Sequence, residues 1–235
     1  MVDTPQQMLQ MLLPVAEALG EELLDHVAFV GGSTTALLIS DPITREAVRY
    51  TDDVDLIVRV KGHKEWYQWQ QKLKQQGFTV SMEDDVICRM RLGTQKVDFM
   101  PDDESILGFS NRWYHQALLN VQPHPLSENI TINILAPAYF IATKLEAYLG
   151  RGNNNPMESH DMEDIINLVD GRETLANEIE TADTEVRNYI AQQFHSLLQH
   201  SDFEYAVQGN LQDNNRTDLF FKRWELIAAL SKEQN

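Results

Sequence analysis

Two aspartates, Asp53 and Asp55, occupy alternate positions in an apolar run that extends to Val60. Because side chains alternate between the faces of a β-strand, both carboxylates should project from one face, roughly 6.5–7 Å apart along the backbone. Carboxylates held this close require a cation or a proton to offset their repulsion, and oxygen ligands on a rigid strand suit Mg²⁺ or Mn²⁺. Asp98, in a second short apolar run, would complete a three-carboxylate site for phosphoryl transfer if its strand lay beside the first.

The surroundings of this acidic pair favour chemistry over an ordinary surface turn. On its own, an Asp-x-Asp at the start of a strand is more often a solvated edge, and Asp52 adds a third acid that does not share the strand face. The pair follows a short apolar strand that ends at Gly31-Gly32-Ser33. Most such turns are only tight corners, but exposed backbone N–H groups and a serine hydroxyl at a helix start can also hold a triphosphate.

Taken in order, these motifs resemble the nucleotidyltransferase superfamily that includes DNA polymerase β, and within it the AbiEii-like toxin nucleotidyltransferases. The matching pieces are Gly31-Gly32-Ser33, Arg49-x-Thr51-x-Asp53-x-Asp55, Val97-Asp98-Phe99, Lys144, and the run from Ser159 to Ile165. The resemblance covers residues 27–172. It implies an α+β fold, in which a mixed β-sheet core is flanked by helices and followed by a helical C-terminal part. The separation of Ser33 from Asp53 is longer than is usual in the superfamily.

The resemblance also implies roles for the residues of the first half. Gly31, Gly32 and Ser33 would bind the β and γ phosphates of an NTP, with Arg49 and Thr51 contributing to nucleotide binding. The metal ligands would be Asp53, Asp55 and Asp98, and Asp98 is also a candidate general base.

In the second half, the resemblance assigns Lys144 to the triphosphate, and Arg151, two helical turns later, could supply a second cation. Asp161 would orient Lys144 or the acceptor, and Asp164 shares its helix face. Lys144 and Asp161 also have plainer structural interpretations. A lysine on an amphipathic helix is commonly at the surface, and an aspartate near a helix N-terminus is favoured by the helix dipole.

The function expected from these residues is metal-dependent transfer of NMP from an NTP to an unknown acceptor, with release of pyrophosphate. The acceptor could be a small molecule, a protein or an RNA end. A second possibility is a catalytically inactive module of the same fold that binds a nucleotide or a partner such as an antitoxin, as in a toxin–antitoxin pair. A third is adenylylation of an aminoglycoside-type antibiotic, whose positive charge an acidic cleft would attract.

The composition of the chain restricts which other functional classes are compatible with it. The chain has 36 acidic and 19 basic residues and a formal net charge of −17, which disfavours extensive nucleic-acid binding. A local basic cleft for a short RNA end is still compatible with this charge; the residues that could form one are Arg45, Arg49, Arg89, Arg91 and Lys96. One cysteine, Cys88, excludes an internal disulfide and favours a reducing compartment, so we expect a cytoplasmic protein with no membrane segment.

Hydrophobic periodicity predicts the elements that carry these residues. Strands are expected at residues 27–30, 54–60, 78–82, 86–92, 96–100 and 130–135. Helices are expected at 5–24, 36–39, 64–76, 137–149, 160–169, 184–199 and 216–231. We therefore predict a mixed-sheet core over residues 1–135 and a helical domain over 136–235.

Overall fold

The computed structural model describes residues 4–211 and 214–231, and within these ranges the chain forms twelve helices and a six-stranded mixed sheet. The helices are α1 (Thr4–Leu24), α2 (Gly32–Leu38), α3 (Pro42–Ala47), α4 (Gly62–Gln75), α5 (Glu104–Leu107), α6 (Tyr114–Leu119), α7 (Pro137–Arg151), α8 (His160–Gly171), α9 (Leu175–Glu180), α10 (Thr184–Leu198), α11 (Phe203–Leu211) and α12 (Asn214–Ala228). The strands are β1 (Val27–Val30), β2 (Asp53–Val58), β3 (Arg89–Leu92), β4 (Gln95–Pro101), β5 (Val121–Pro125) and β6 (Thr131–Leu135). The fold is therefore of the α+β class.

The chain divides into two compact units. The first contains the described residues up to Thr34 together with Arg49–Ala136, and the second contains Thr35–Val48 together with the described residues from Pro137 onward. The predicted division into 1–135 and 136–235 differs from this in one segment, because Thr35–Val48 groups with the later helices. No periodic pattern in that short segment indicates which half it packs against.

The sheet of the first unit has the strand order β3-β4-β2-β1-β6-β5. The pairs β2–β4 and β1–β6 are parallel, and the other neighbours are antiparallel. All four residues of β1 are buried, as are Leu56 to Val58 of β2, because both strands lie in the interior of the sheet. Buried strands of this kind read as continuous apolar runs, which is why the sequence predicted them.

The edges of the sheet differ more from the prediction. Residues 78–82 form only an isolated bridge between Thr79 and Arg91, and the side chains that would stabilise a strand there, such as Val80 and Met82, are exposed. The strand expected at 86–92 begins only at Arg89. In contrast, β5 forms despite Pro123 and Pro125, because an edge strand tolerates residues that donate no ladder hydrogen bond.

The second unit is helical. Pro137 starts α7, where a missing N–H costs nothing, and most of that helix is buried. Ser159 caps α8 by accepting a hydrogen bond from the backbone N–H of Met162. The helices α10 and α12 pack through Phe194 and Trp224, whose rings stack with centroids 3.7 Å apart. These contacts bury the apolar faces that periodicity predicted.

Among the described helices, none has both the length and the apolar character that crossing a bilayer requires.

Candidate metal centre

Three carboxylates converge on the sheet of the first unit. The parallel register of β2 and β4 places Asp55 directly beside Asp98, and Asp53 lies two residues before Asp55 on the same face. One oxygen of each side chain can be chosen so that all three lie within 4.8 Å of one another. Asp98 is buried and the other two are half-buried. The convergence expected if the two strands were neighbours is thus present.

The donor set fits a hard divalent cation. All three groups offer carboxylate oxygens, which Mg²⁺ and Mn²⁺ prefer, and the group contains no histidine or cysteine of the kind that selects zinc. Asp52, the neighbouring acid, is exposed and forms an ion pair with Lys96 at 2.6 Å between Nζ and Oδ2. Asp52 is thus separate from Asp53 and Asp55, as the alternation of side chains along the strand predicts.

Gly31 makes room for one of these carboxylates. Its φ of +72° lies in the left-handed region, and a Cβ built at this position would be 2.0 Å from Oδ2 of Asp55. Gly32 has a comparable role, since its Cβ would lie 2.9 Å from Nη2 of Arg49. The two glycines thus allow a carboxylate and a guanidinium to approach the turn closely, in addition to the phosphate contacts that the resemblance implies.

The hydroxyls near this turn also have local partners. Ser33 is buried and donates to the carbonyl oxygen of Val30 at 3.2 Å, and Thr34 donates to that of Gly31 at 3.0 Å. Thr51 donates to Oδ1 of Asp53 at 2.6 Å and so fixes the orientation of that carboxylate. The phosphate-binding roles of Gly31, Gly32 and Ser33 remain predictions.

Arg89 inserts its guanidinium among the carboxylates, a feature that the sequence analysis did not assign. It donates from Nε to Oδ1 of Asp98 at 2.7 Å, from Nη2 to Oδ2 of Asp98 at 2.8 Å, and from Nη2 to Oδ2 of Asp53 at 3.1 Å. The hydrogen bond to Asp98 raises the pKa of Arg89, so it is a permanent cation. The Gly93-Thr94 turn could have indicated this contact. If the segments before and after the turn are paired as antiparallel strands, counting outward from the turn places residue 89 opposite residue 98, which is the register of β3 and β4.

The other predicted site residues form a charged cluster within the second unit. Nζ of Lys144 lies 3.1 Å from Oδ1 of Asp161 and 2.6 Å from Oδ2 of Asp164. Arg151 donates to both oxygens of Asp161, at 2.9 and 3.0 Å. Lys144 is only 6% exposed, which is unlike a surface lysine on an amphipathic helix. Asp161 contacts Lys144 directly, and its role in orienting Lys144 or the acceptor stays a prediction.

The cluster is stable because opposite charges offset burial. Burial alone would lower the pKa of Lys144, but the carboxylates of Asp164 and Asp161 hold it above its usual value. Burial would raise the pKa of Asp161, but the hydrogen bond from Arg151 and the charge of Lys144 hold it below the usual range. Lys144 and Asp161 are therefore both charged at neutral pH.

Searches among known proteins gave no match, either to a family model or to a curated sequence. The geometry of the carboxylates and the motifs of the sequence are therefore the basis on which a function can be proposed.

Proposed function

We propose that this chain is a metal-dependent nucleotidyltransferase, which transfers NMP from an NTP to an acceptor and releases pyrophosphate. The observation that carries the proposal is the convergence of Asp53, Asp55 and Asp98 on two adjacent parallel strands. Bound Mg²⁺ or Mn²⁺ would supply charge neutralisation at the phosphates.

The residues of the first unit have distinct tasks in this reaction. Asp53 and Asp55 would hold the cation, and the hydroxyl of Thr51 holds Asp53 in one orientation. Asp98, once Arg89 has released one of its oxygens, takes the proton of the acceptor hydroxyl while the acceptor oxygen bonds to the α phosphorus and the bond to the pyrophosphate oxygen breaks. Gly31, which has no side chain, leaves room for the carboxylate of Asp55 against the turn. Catalysis in this proposal is chiefly positioning and electrostatics, as phosphoryl transfer requires.

Lys144 keeps its predicted role at the triphosphate on the strength of the resemblance. Its surroundings support a fixed position, because Asp161 and Asp164 both contact its ammonium group. A lysine held by two carboxylates has little rotamer entropy left to lose when it binds a ligand. Arg151 adds a second, more exposed cation to the same cluster.

The test is transfer of label from each α-³²P-labelled NTP to pools of small molecules, proteins and RNA, together with pyrophosphate release. Asp53→Asn and Asp55→Asn should each lower both signals by roughly a hundredfold or more, since each removes a ligand charge. Asp52→Asn is the matched control, because this neighbouring acid pairs with Lys96, and it should stay near wild type.

Two outcomes would change the conclusion. Transfer that survives both Asp53→Asn and Asp55→Asn would remove these residues from the reaction. Binding of Mg²⁺ and an NTP without pyrophosphate release, under any acceptor pool, would indicate a nucleotide-binding module instead.

A further inference from the structure

Arg89 contacts two of the three carboxylates that a divalent cation would use. Its Nε and Nη2 engage both oxygens of Asp98, and Nη2 also engages Asp53. The guanidinium therefore occupies the part of the site that lies beside the β3–β4 pair. A paired arginine and carboxylate with two parallel hydrogen bonds is among the strongest polar contacts in proteins.

This arrangement is built into the sheet. Arg89 and Asp98 are direct partners in the antiparallel register of β3 and β4, and their side chains are only 14% and 9% exposed. Limited access to water strengthens the attraction between the two groups, and an arginine cannot relieve it by losing its proton. The guanidinium of Arg89 thus competes persistently with any other cation for the carboxylate of Asp98.

A divalent ion coordinated by Asp98 and Asp53 would share oxygens with the guanidinium and would be repelled by it. We propose that Arg89 is an internal competitor for the metal: in the nucleotide-free protein it holds Asp98, and the divalent ion binds at Asp53 and Asp55 without it. Arg89 then sets the affinity for the cation. This inference rests on the proposed function of the carboxylates as metal ligands.

The opposite role for Arg89 would be to support Asp98 as a metal ligand, as hydrogen-bonded outer residues do in many sites. The two roles predict effects of opposite sign. Removing a competitor strengthens metal binding, whereas removing a support weakens it. The affinity for Mn²⁺, measured by electron paramagnetic resonance and calorimetry without any nucleotide, separates them and does not depend on turnover.

The first variant is Arg89→Gln, which keeps much of the side-chain volume and removes the charge. We expect it to bind Mn²⁺ roughly tenfold more tightly than wild type, because a unit charge at hydrogen-bond distance from the ligand oxygens no longer opposes the ion. The matched control is Arg91→Gln on the same strand, whose partner is Asp84, and its affinity should remain within about twofold of wild type. Unchanged or weaker binding by Arg89→Gln would overturn the proposal.

The second variant, Arg89→Gln with Asp98→Asn, removes one positive and one negative charge and leaves the net charge of the site as it was. If Asp98 does not ligate the ion in the wild type, this double variant should bind Mn²⁺ within about threefold of wild type. A loss of about tenfold or more would mean that Asp98 ligates the ion despite Arg89, and would contradict the proposal.

A measurement on the wild type covers the case in which the variants fail to fold. In ¹⁵N NMR spectra, the Nε–H signal of Arg89 should keep its hydrogen-bonded shift when Mg²⁺ saturates its first site without nucleotide. Release of that signal on Mg²⁺ binding would overturn the proposal.

Failure of this inference is distinguishable from failure of the proposed function. Mn²⁺ binding by the wild type with no gain in Arg89→Gln removes only the role of Arg89. Absence of Mn²⁺ binding in both proteins, with no NTP turnover, removes the metal centre and the inference together.

Discussion

Gly31 links backbone conformation to the chemistry of the candidate site. Its positive φ disfavours a side chain, and the carboxylate of Asp55 occupies the space that a Cβ would need, so two independent constraints act on one residue. The sequence marked Gly31-Gly32 as a turn that could contact a phosphate. It could not indicate that the nearest group would be a carboxylate from the next strand, since that depends on how β1 and β2 pair.

Gly31→Ala should therefore weaken Mn²⁺ binding by roughly tenfold, because the methyl group displaces the carboxylate of Asp55. Gly62→Ala is the matched control: its φ of +76° imposes similar backbone strain, but nothing lies within 4 Å of the added Cβ. Both variants should lose about 1–2 kcal/mol of stability through strain, whereas only Gly31→Ala should lose metal affinity. Calorimetry on both proteins would reveal equal affinities if strain alone were responsible.

Cys88 should be a slow thiol in the folded protein. Burial, with smaller contributions from the charges of Asp98 and Asp55, raises its pKa to about 12. Compared with a thiol of ordinary pKa, 9.0, the thiolate of Cys88 at pH 8 is roughly a thousandfold scarcer. A disulfide-exchange reagent should thus react far faster after unfolding in urea than before, and equal rates would contradict the burial of this residue.

At the scale of elements, the strands that hold the aspartates were predictable because apolar residues predominate in them and most of these are buried. Once the strands are known, the alternation of side chains predicts which face each of Asp53, Asp55 and Asp98 occupies. Arg89 was not assigned, because its partner depends on register across a turn. The helix α3 was also missed: six residues carry too little periodicity, although Asp41 before Pro42 is a typical helix start.

The contribution of the ion pairs between α7 and α8 to stability can be tested by substitution at Lys144. Lys144→Met should destabilise the second unit by about 3–5 kcal/mol, because Asp161 and Asp164 would keep buried charges without their ammonium partner. Lys144→Arg, which retains the charge, should cost less. Urea unfolding followed by circular dichroism would measure both, and a neutral effect of Lys144→Met would show that the ion pairs contribute little.

Lowering the pH should remove the contribution of Asp161 to the unfolding free energy. Its folded-state pKa lies below the unfolded value, so the stabilisation is complete above the unfolded pKa and is lost as pH falls through the lower, folded value. The difference in unfolding free energy between wild type and Asp161→Asn should thus be constant near neutrality and shrink below about pH 4. A difference that grows on acidification would contradict the direction of this shift.

On the scale of the whole molecule, the second unit is discontinuous in sequence, because Thr35–Val48 belongs with the helices after Pro137. A buried polar network accounts for this. The hydroxyl of Thr44 lies 2.6 Å from an oxygen of Asp170 and 2.9 Å from one of Asp41, with one proton to donate to either, and Arg216 contacts all three residues. Gly171 also accepts hydrogen bonds from the backbone N–H groups of Ser40 and Asp41. Polar partners so distant in sequence leave no periodic signal, so composition alone could not assign the segment.

Thr44→Val keeps the shape of this side chain and removes its hydroxyl, so it should destabilise the network by about 1–3 kcal/mol. Hydrogen exchange measured by mass spectrometry should then rise in α3, α8 and α12. The matched control is Thr181→Val, since that hydroxyl is exposed and lies within hydrogen-bond distance of the backbone carbonyls of Asn177 and Glu178. Equal exchange in the two variants would argue against the network as the tie between these helices.

The same discontinuity has a consequence for biosynthesis. Residues 35–48 leave the ribosome on the order of ten seconds before α8, at ordinary rates of translation. Throughout that interval the nascent segment lacks the surface that later covers it, while the strands of the sheet are already being made. Chaperone engagement or misassembly is thus most favourable in this window, and slowing translation between codons 48 and 160 should lengthen it.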